Sequence, residues 1–300
     1  MLVAGNCFIL PAVIIVAALA WLYVHFGGLP AASAILYGVK PVVIAVVLQA
    51  LWGLGRTAVR TKFLGFVGAC SMVAAFLGLH PLLLLLLAGS VVCLTRIRAS
   101  RLPVSTRSFW AAPLAVATTT ATSFTLGSLF LVFLKIGAVV FGSGYVLLAF
   151  LHADLVVHRG WLTDSQLIDA VAVGQLTPGP VFTTATFIGY LLGVVRGSVV
   201  ATIGIFAPAF LLVAASGPLI PRIRRSNVAA AFLDGVNVGS LALMAKVSWQ
   251  LGRTSLVDAV TLGLAIVSTV ALFRWRLNSV WLILVGGMAG LLARAVHHGL

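Results

Sequence analysis

Apolar residues run in blocks along this chain, at about residues 7–25, 35–55, 63–79, 81–95, 124–150, 198–220, 228–251, 256–272 and 278–296. At about 1.5 Å of rise per residue, some 20 residues cross the hydrocarbon core of a bilayer, so each block predicts a helix at membrane depth. The blocks at 63–79 and 81–95 are short and split by His80-Pro81, which predicts a tight helical hairpin. Two stretches interrupt the pattern. Residues 96–123 carry Arg96, Arg98, Arg101 and Arg107 and then a Thr/Ser/Ala run, and form the natural domain boundary. Residues 151–197 carry His152, Asp154, His158, Arg159, Asp164, Asp169, Gln175 and Thr177, the most polar part of the second half.

A second pattern underlies the first. Residues 11–57 reappear without a gap 197 positions later as residues 208–254, with 17 of 47 positions identical. Pro11-Ala12 returns as Pro208-Ala209, Gly38-Val39 as Gly235-Val236, and Leu54-Gly-Arg-Thr57 as Leu251-Gly-Arg-Thr254. A fixed offset of this kind marks an internal duplication. Loop charges reverse between the copies. In the first, Arg56, Arg60 and Lys62 follow the second block, whereas the loops at Gly27-Gly28 and His80-Pro81 hold no Lys or Arg. In the second, the counterparts of those two neutral loops hold Arg222, Arg224 and Arg225, and Arg274 and Arg276. Under the positive-inside rule the copies face opposite ways, an inverted-topology repeat of the kind secondary transporters use.

The second copy also has an upstream segment, residues 124–207, for which the first copy holds almost no counterpart. The expected organisation is therefore a partial first repeat at 1–95, a basic cytoplasmic linker at 96–123 and a complete second repeat at 124–300. Continuity then requires the run at 124–150 to cross outward and the run at 198–220 to return. Residues 151–197 are left with no net crossing, as re-entrant or broken helices. Polar, irregular backbone at membrane depth is tolerated where it lines a cavity or packs in protein, so a transport site is expected there.

Composition agrees. Hydrophobic residues make up 62% of the chain and charged residues 8%, with a mean hydropathy of +1.19. That is an all-α polytopic membrane protein, lodged in the bilayer. The net charge of +14 does not indicate nucleic acid, because the Arg residues sit between apolar runs and not on a basic face interleaved with aromatics. Cys7, Cys70 and Cys93 lie in apolar stretches without ligand spacing, so neither a disulfide nor a metal is expected. No cleavable signal pattern precedes the first helix. The chain has no Glu, no metal-spaced His pair and no Gly-Lys-Ser/Thr phosphate loop, and so reads as no enzyme, with no cofactor.

Three features carry candidate chemistry. Lys135 lies inside the apolar run 129–140, where a lysine is expensive and functional by default, unless it snorkels or pairs with an Asp. Lys40 and Lys246 also sit in apolar runs but rank lower, since their repeat counterparts are Asn237 and Gln49. Next, Gly142, Ser143 and Gly144 could form an anion-binding nest of backbone amides. Last, Gln175-Leu-Thr177-Pro178-Gly179-Pro180 breaks the backbone ahead of Thr183 and Thr184, with Pro180 suited to start a new helix. The free amides of such a half-helix are an anion site. The competing readings are glycine packing for the second feature and a structural kink for the third. His152 and Asp154 are candidates for proton coupling, against the plainer reading that they cap an interfacial stretch.

These residues resemble a known family, the chromate ion transporters. The matching motifs are Phe133-Leu-Lys-Ile-Gly-Ala138, Phe141-Gly-Ser-Gly-Tyr-Val146, Gly160-Trp-Leu-Thr163, Gln175-Leu-Thr-Pro-Gly-Pro180, Phe187-Ile-Gly-Tyr190, Phe232-Leu-Asp-Gly-Val-Asn237 and Leu277-Asn278-Ser279. Ser143 and Ala149 depart from the family pattern, which usually has Gly and often Pro there. The resemblance implies a multi-pass protein of the bacterial inner membrane that exports chromate, coupled to the proton gradient, with sulfate or another oxyanion as the alternative cargo. It places Lys135, Gly142, Gly144, Gln175, Pro178, Gly179 and Pro180 on family motifs. It also implies that the first repeat's own Phe-Gly-Gly and Pro-Gly-Pro motifs are missing. A homodimer or a partner supplying that segment is then expected, or else a transport-incompetent remnant or assembly subunit.

Overall fold

The computed structural model describes residues 2–27, 29–99, 125–140, 146–177, 179–216, 226–275 and 277–298. Among them there are eleven α-helices and no strand. The first four are α1 (Leu2–Phe26), α2 (Pro30–Ala58), α3 (Lys62–Phe76) and α4 (Pro81–Ala99). Then come α5 (Leu126–Val139), α6 (Val146–Leu151), α7 (Asp164–Leu176) and α8 (Thr184–Ser216). The last three are α9 (Asn227–Ser255), α10 (Ala259–Trp275) and α11 (Ser279–His298). By length and composition four stretches are apolar enough to cross a membrane, Cys7–Phe26, Ala31–Ala58, Val181–Ala214 and Asn227–Ser255, the third of them broken at Gly193 and Val194. Large apolar side chains such as Ile14, Phe66 and Leu211 stand exposed on the outside, as a lipid-facing surface requires. This is an all-α, multi-pass membrane protein.

Local chemistry sets the helix starts. Pro30 opens α2, where its fixed φ and missing N–H cost nothing. Thr61 caps α3 by accepting from the Leu64 amide at 3.2 Å. Thr125 with Ser128 and Thr163 with Gln166 form capping boxes that open α5 and α7. Ser226 caps α9, and Asp258 accepts from the Thr261 amide at 2.8 Å to cap α10. These amide bonds, with the Tyr37 hydroxyl, hold the Asp258 carboxyl below its usual range.

The 197-residue offset is visible in the helices. α2 spans 30–58 and α9 spans 227–255, the same bounds shifted by the offset, and α3 and α4 recur within a few residues as α10 and α11. The packing is exchanged between copies: α9 lies against α3 and α4, and α2 against α10 and α11. α2 and α9 cross antiparallel. Tyr37, near the start of α2, bonds Asp258 just past the end of α9, while Gly55 near the end of α2 faces Leu241 at the middle of α9. Both exchanged contacts close on equivalent glycines. A Cβ on Gly38 would lie 2.0 Å from the Gly286 carbonyl oxygen, and one on Gly235 would lie 2.3 Å from that of Ala88. Small residues are what let helix backbones approach this closely in a membrane.

The expected hairpin at His80-Pro81 is present, with α3 and α4 packed together. The block at 124–150 requires a correction. It is not one crossing: α5 stops at Val139 and a new helix starts at Val146. The two legs then fold back on each other, since Lys135 and Asp154 are in contact at 2.7 Å, whereas 19 residues of straight helix would separate them by about 28 Å. Total apolarity hid the break, because a helical hairpin buried in protein is as apolar as a spanning helix. The core lies around these short legs and not around the long spans. Residues 147–151, 167–172 and 183–188 are buried almost without exception.

Candidate functional site

Two broken hairpins build the site. The first is α5 and α6, the latter continued by a π-helical turn over His152–His158. A π turn widens the helix and re-aims its side chains. Here Asp154 reaches Lys135, and His152 Nε2 lies 3.0 Å from Asp164 Oδ1 at the start of α7. The second hairpin is α7, a break at 177–183, and the first leg of α8. Tyr23 of α1 measures its return: the hydroxyl donates to Asp169 on α7 at 2.9 Å, and the ring packs edge-on against Phe187 on α8. At Gly193 and Val194 the backbone leaves helical geometry, and α8 turns back a second time. Its two legs meet at Gly189 and Gly197 and share a 2.8 Å bond between Thr186 and Thr202. Residues 151–197 are therefore a broken-helix segment, as expected.

The break at 177–183 lies halfway along the spans. Gly179 rests on Ala12 of α1, where an added Cβ would come within 2.4 Å of the alanine methyl. Beside it a cavity of about 10 Å³, room for about one water molecule, is bounded by Val47 of α2, Leu147 and Leu151 of α6, and Gln175, Val181 and Thr184. Two of the residues lining it carry a buried donor without a partner, the Gln175 side-chain amide and the Thr184 hydroxyl. Gly174 leaves the room they need, because a Cβ there would strike Thr184 Oγ1 at 2.4 Å. Buried polar groups are nearly always satisfied, and one unsatisfied donor costs about 1–3 kcal/mol. Two together, on either side of the break, leave room for one shared acceptor.

The other expected site residues are distributed differently. Thr183 does not offer its hydroxyl to the cavity but turns it back to the Pro180 carbonyl at 2.9 Å. Thr177 likewise donates to the carbonyls of Val173 and Gly174. Pro180 precedes a short 3-10 turn, Val181–Thr183, and α8 follows it. Lys135 is not a free cation, being neutralised by Asp154. His152 and Asp154, the expected coupling groups, are each held in one of these pairs. Gly142, Ser143, Gly144 and Pro178 lie outside the described residues.

A second polar group centres on Lys40, which the sequence places below Lys135. Lys40 of α2 lies 3.5 Å from Asp169 Oδ1 and bonds Ser165, and Asp169 is the most deeply buried carboxylate among the paired ones. Repeat symmetry demoted Lys40 because residue 237 is Asn, yet the two halves need not share their charges. The signal available was the burial cost of a lysine and an aspartate in apolar runs, which only mutual pairing relieves. A further cavity opens where the α3–α4 connection meets α9, walled by His80, His152, His158, Lys246 and Gln250. Burial, with Lys135 and His158 nearby, pushes His80 below the usual imidazole range, so it is neutral at pH 7.

The Chromate transporter family model matches residues 1–93 and 127–291. The chain belongs to the chromate transporter family. It is 34% identical over 287 residues to the probable chromate transport protein of Synechococcus elongatus, covering 91% of this chain and 71% of that protein. It is 32% identical over 305 residues to the chromate transport protein of Cupriavidus metallidurans, covering 98% and 75% respectively. The chromate transport protein of Pseudomonas aeruginosa is also 32% identical, over 96% of this chain and 73% of that protein. No solved structure matches. The family match takes in nearly all of both hairpins and most of every helix of the exchanged packing.

Proposed function

We propose that this chain carries a tetrahedral oxyanion across the bacterial inner membrane, chromate foremost, outward and coupled to protons. One observation carries the reading: two unpaired hydrogen-bond donors, Gln175 and Thr184, at a helix break midway through the bundle. An oxyanion supplies the acceptors both lack, and the start of α8 adds the positive end of its dipole. The names of the relatives select chromate from the class. Sulfate has the same shape and charge and is the alternative cargo.

The antiparallel, exchanged packing supports an inverted repeat whose halves rock against each other about the hairpins. Orientation follows from charge. Arg56, Arg60, Lys62, Arg96 and Arg274 gather at one end of the bundle, which we take as cytoplasmic. Arg96 pairs there with Asp234 at 3.1 Å, and Trp52 near the end of α2 packs on Phe273 beside Arg274.

The test is a pair of near-isosteric variants. Gln175→Leu and Thr184→Val should each raise the chromate KM in everted vesicles about 10-fold, the size expected for losing one bond of about 1.4 kcal/mol to a charged group. Protein levels should stay unchanged, because neither donor has a partner to lose. An unaltered KM in both would remove the cavity from the transport path. Excess sulfate in the same assay separates the two cargoes, since only a shared site lets it compete.

A further inference from the structure

We infer that Asp169 is the proton carrier of the transport cycle and that Lys40 is its standing counter-charge. The inference rests on the oxyanion reading and adds to it a residue that neither the sequence motifs nor the relatives single out.

The geometry has three parts. Asp169 has a side chain only 3% exposed and is held from two sides, by the Tyr23 hydroxyl at 2.9 Å and by Lys40 at 3.5 Å. Its Oδ1 lies 3.5 Å from the Lys40 ammonium, a longer contact than the 2.7 Å between Lys135 and Asp154. Then there is connectivity. Lys40 and Tyr23 belong to the long helices α2 and α1, whereas Asp169 belongs to α7, the descending leg of the second hairpin. The pair is thus the charged tether between spans and hairpin. Last is proximity to the cargo. Gln175 lies six residues further along α7, about 9 Å of helix rise, so a movement of α7 at Asp169 also moves the oxyanion donors.

Among the described residues, the charged or titratable groups acting on Asp169 are Lys40 from α2 and Tyr23 from α1. α8 presents Phe187 against Tyr23, and the π turn, which also packs on α7, pairs its His152 with Asp164, five residues before Asp169. The other pairs are less suited to the task. Lys135 with Asp154 joins two legs of the same hairpin, and its lysine is 37% exposed. His152 with Asp164 joins the end of one hairpin to the start of the next.

The step is simple. A proton from water binds the Asp169 carboxylate, the tether to Lys40 loses its attraction, and α7 is freed from α2. Lys40 then faces whichever anion is present. Deprotonation on the other side of the membrane restores the pair.

The test uses the full chain purified into proteoliposomes, with Asp169→Asn beside the wild type. Chromate counterflow at equal pH reads binding and alternation, and chromate flux under an imposed pH difference reads coupling. Asp169→Asn should keep counterflow within about threefold of the wild type and lose the response to the pH difference. Asp169→Glu, which retains a carboxylate, should restore that response. Asp169→Asn with an undiminished pH response overturns the assignment. Loss of counterflow together with the pH response also overturns it, by making Asp169 a structural residue. A wild type whose chromate flux ignores the pH difference overturns proton coupling itself, a failure distinct from the other two.

Discussion

Gly38→Val should abolish the folded protein. The substitution puts a Cβ 2.0 Å from the Gly286 carbonyl oxygen and 2.7 Å from the Gly290 nitrogen, both backbone atoms that no rotamer change can move. Helices α2 and α11 would have to separate, and α11 has little else in the bundle to hold it beyond α2, α7 and α10. Overpacking by side chains costs about 1–3 kcal/mol, and a forced backbone separation exceeds that range. Gly235→Val meets the same obstacle at Ala88 and Gly89 and should behave alike. Gly53→Val is the control, since it lies on the same helix as Gly38 with nothing within 4 Å of the added atom. Size-exclusion profiles of detergent extracts decide the matter. A monodisperse Gly38→Val peak at the wild-type position would show that the close crossing of the two halves is not what holds them.

Lys135→Ala should abolish chromate transport, and the reason is the partner it leaves behind. Asp154 is 10% exposed by side chain, and without Lys135 it is a nearly buried carboxylate with no counter-charge. Removing one member of a buried ion pair costs about 3–5 kcal/mol, reduced here because more than a third of the lysine side chain is open to solvent. Much of that penalty falls on the geometry of the first hairpin, whose two legs the pair ties together. The double variant Lys135→Ala with Asp154→Ala separates two roles. If the pair is a brace, the double variant recovers a large part of the transport lost in Lys135→Ala. If Lys135 itself touches the oxyanion, the double variant stays inactive. Initial rates of chromate uptake into everted vesicles read both.

The long helices were legible because their signals are redundant. Apolar runs, Pro30 and Pro81 at helix starts, and the 197-residue offset all point to the same elements, and α9 begins and ends where the repeat of α2 requires. The hairpins were only half legible. Pro178 and Pro180 announce a break, and the polar residues of 151–197 mark that segment as irregular. The break after Val139 sends no such signal, because its flanks are apolar on both sides and glycine is common in membrane helices. Within the candidate site, Gln175 stands out in the sequence by its motif. The hydroxyl that is free belongs to Thr184 and not to Thr183, since a short 3-10 turn rotates Thr183 back onto Pro180. A one-residue difference of phase of that kind is set by the tertiary path of the chain. The Lys40–Asp169 pair was hidden for another reason: its members are 129 residues apart in sequence, and pairing across that distance follows from the packing of α7 on α2.

An oxyanion carrier moves its cargo without other proteins, so transport by the purified chain is the measurement that decides. Reconstituted alone into proteoliposomes, it should take up chromate saturably and lose about tenfold in apparent affinity in Thr184→Val, while Gly53→Val matches the wild type. Uptake no greater than that of protein-free liposomes, by a wild-type chain that is folded and monodisperse, would contradict the account.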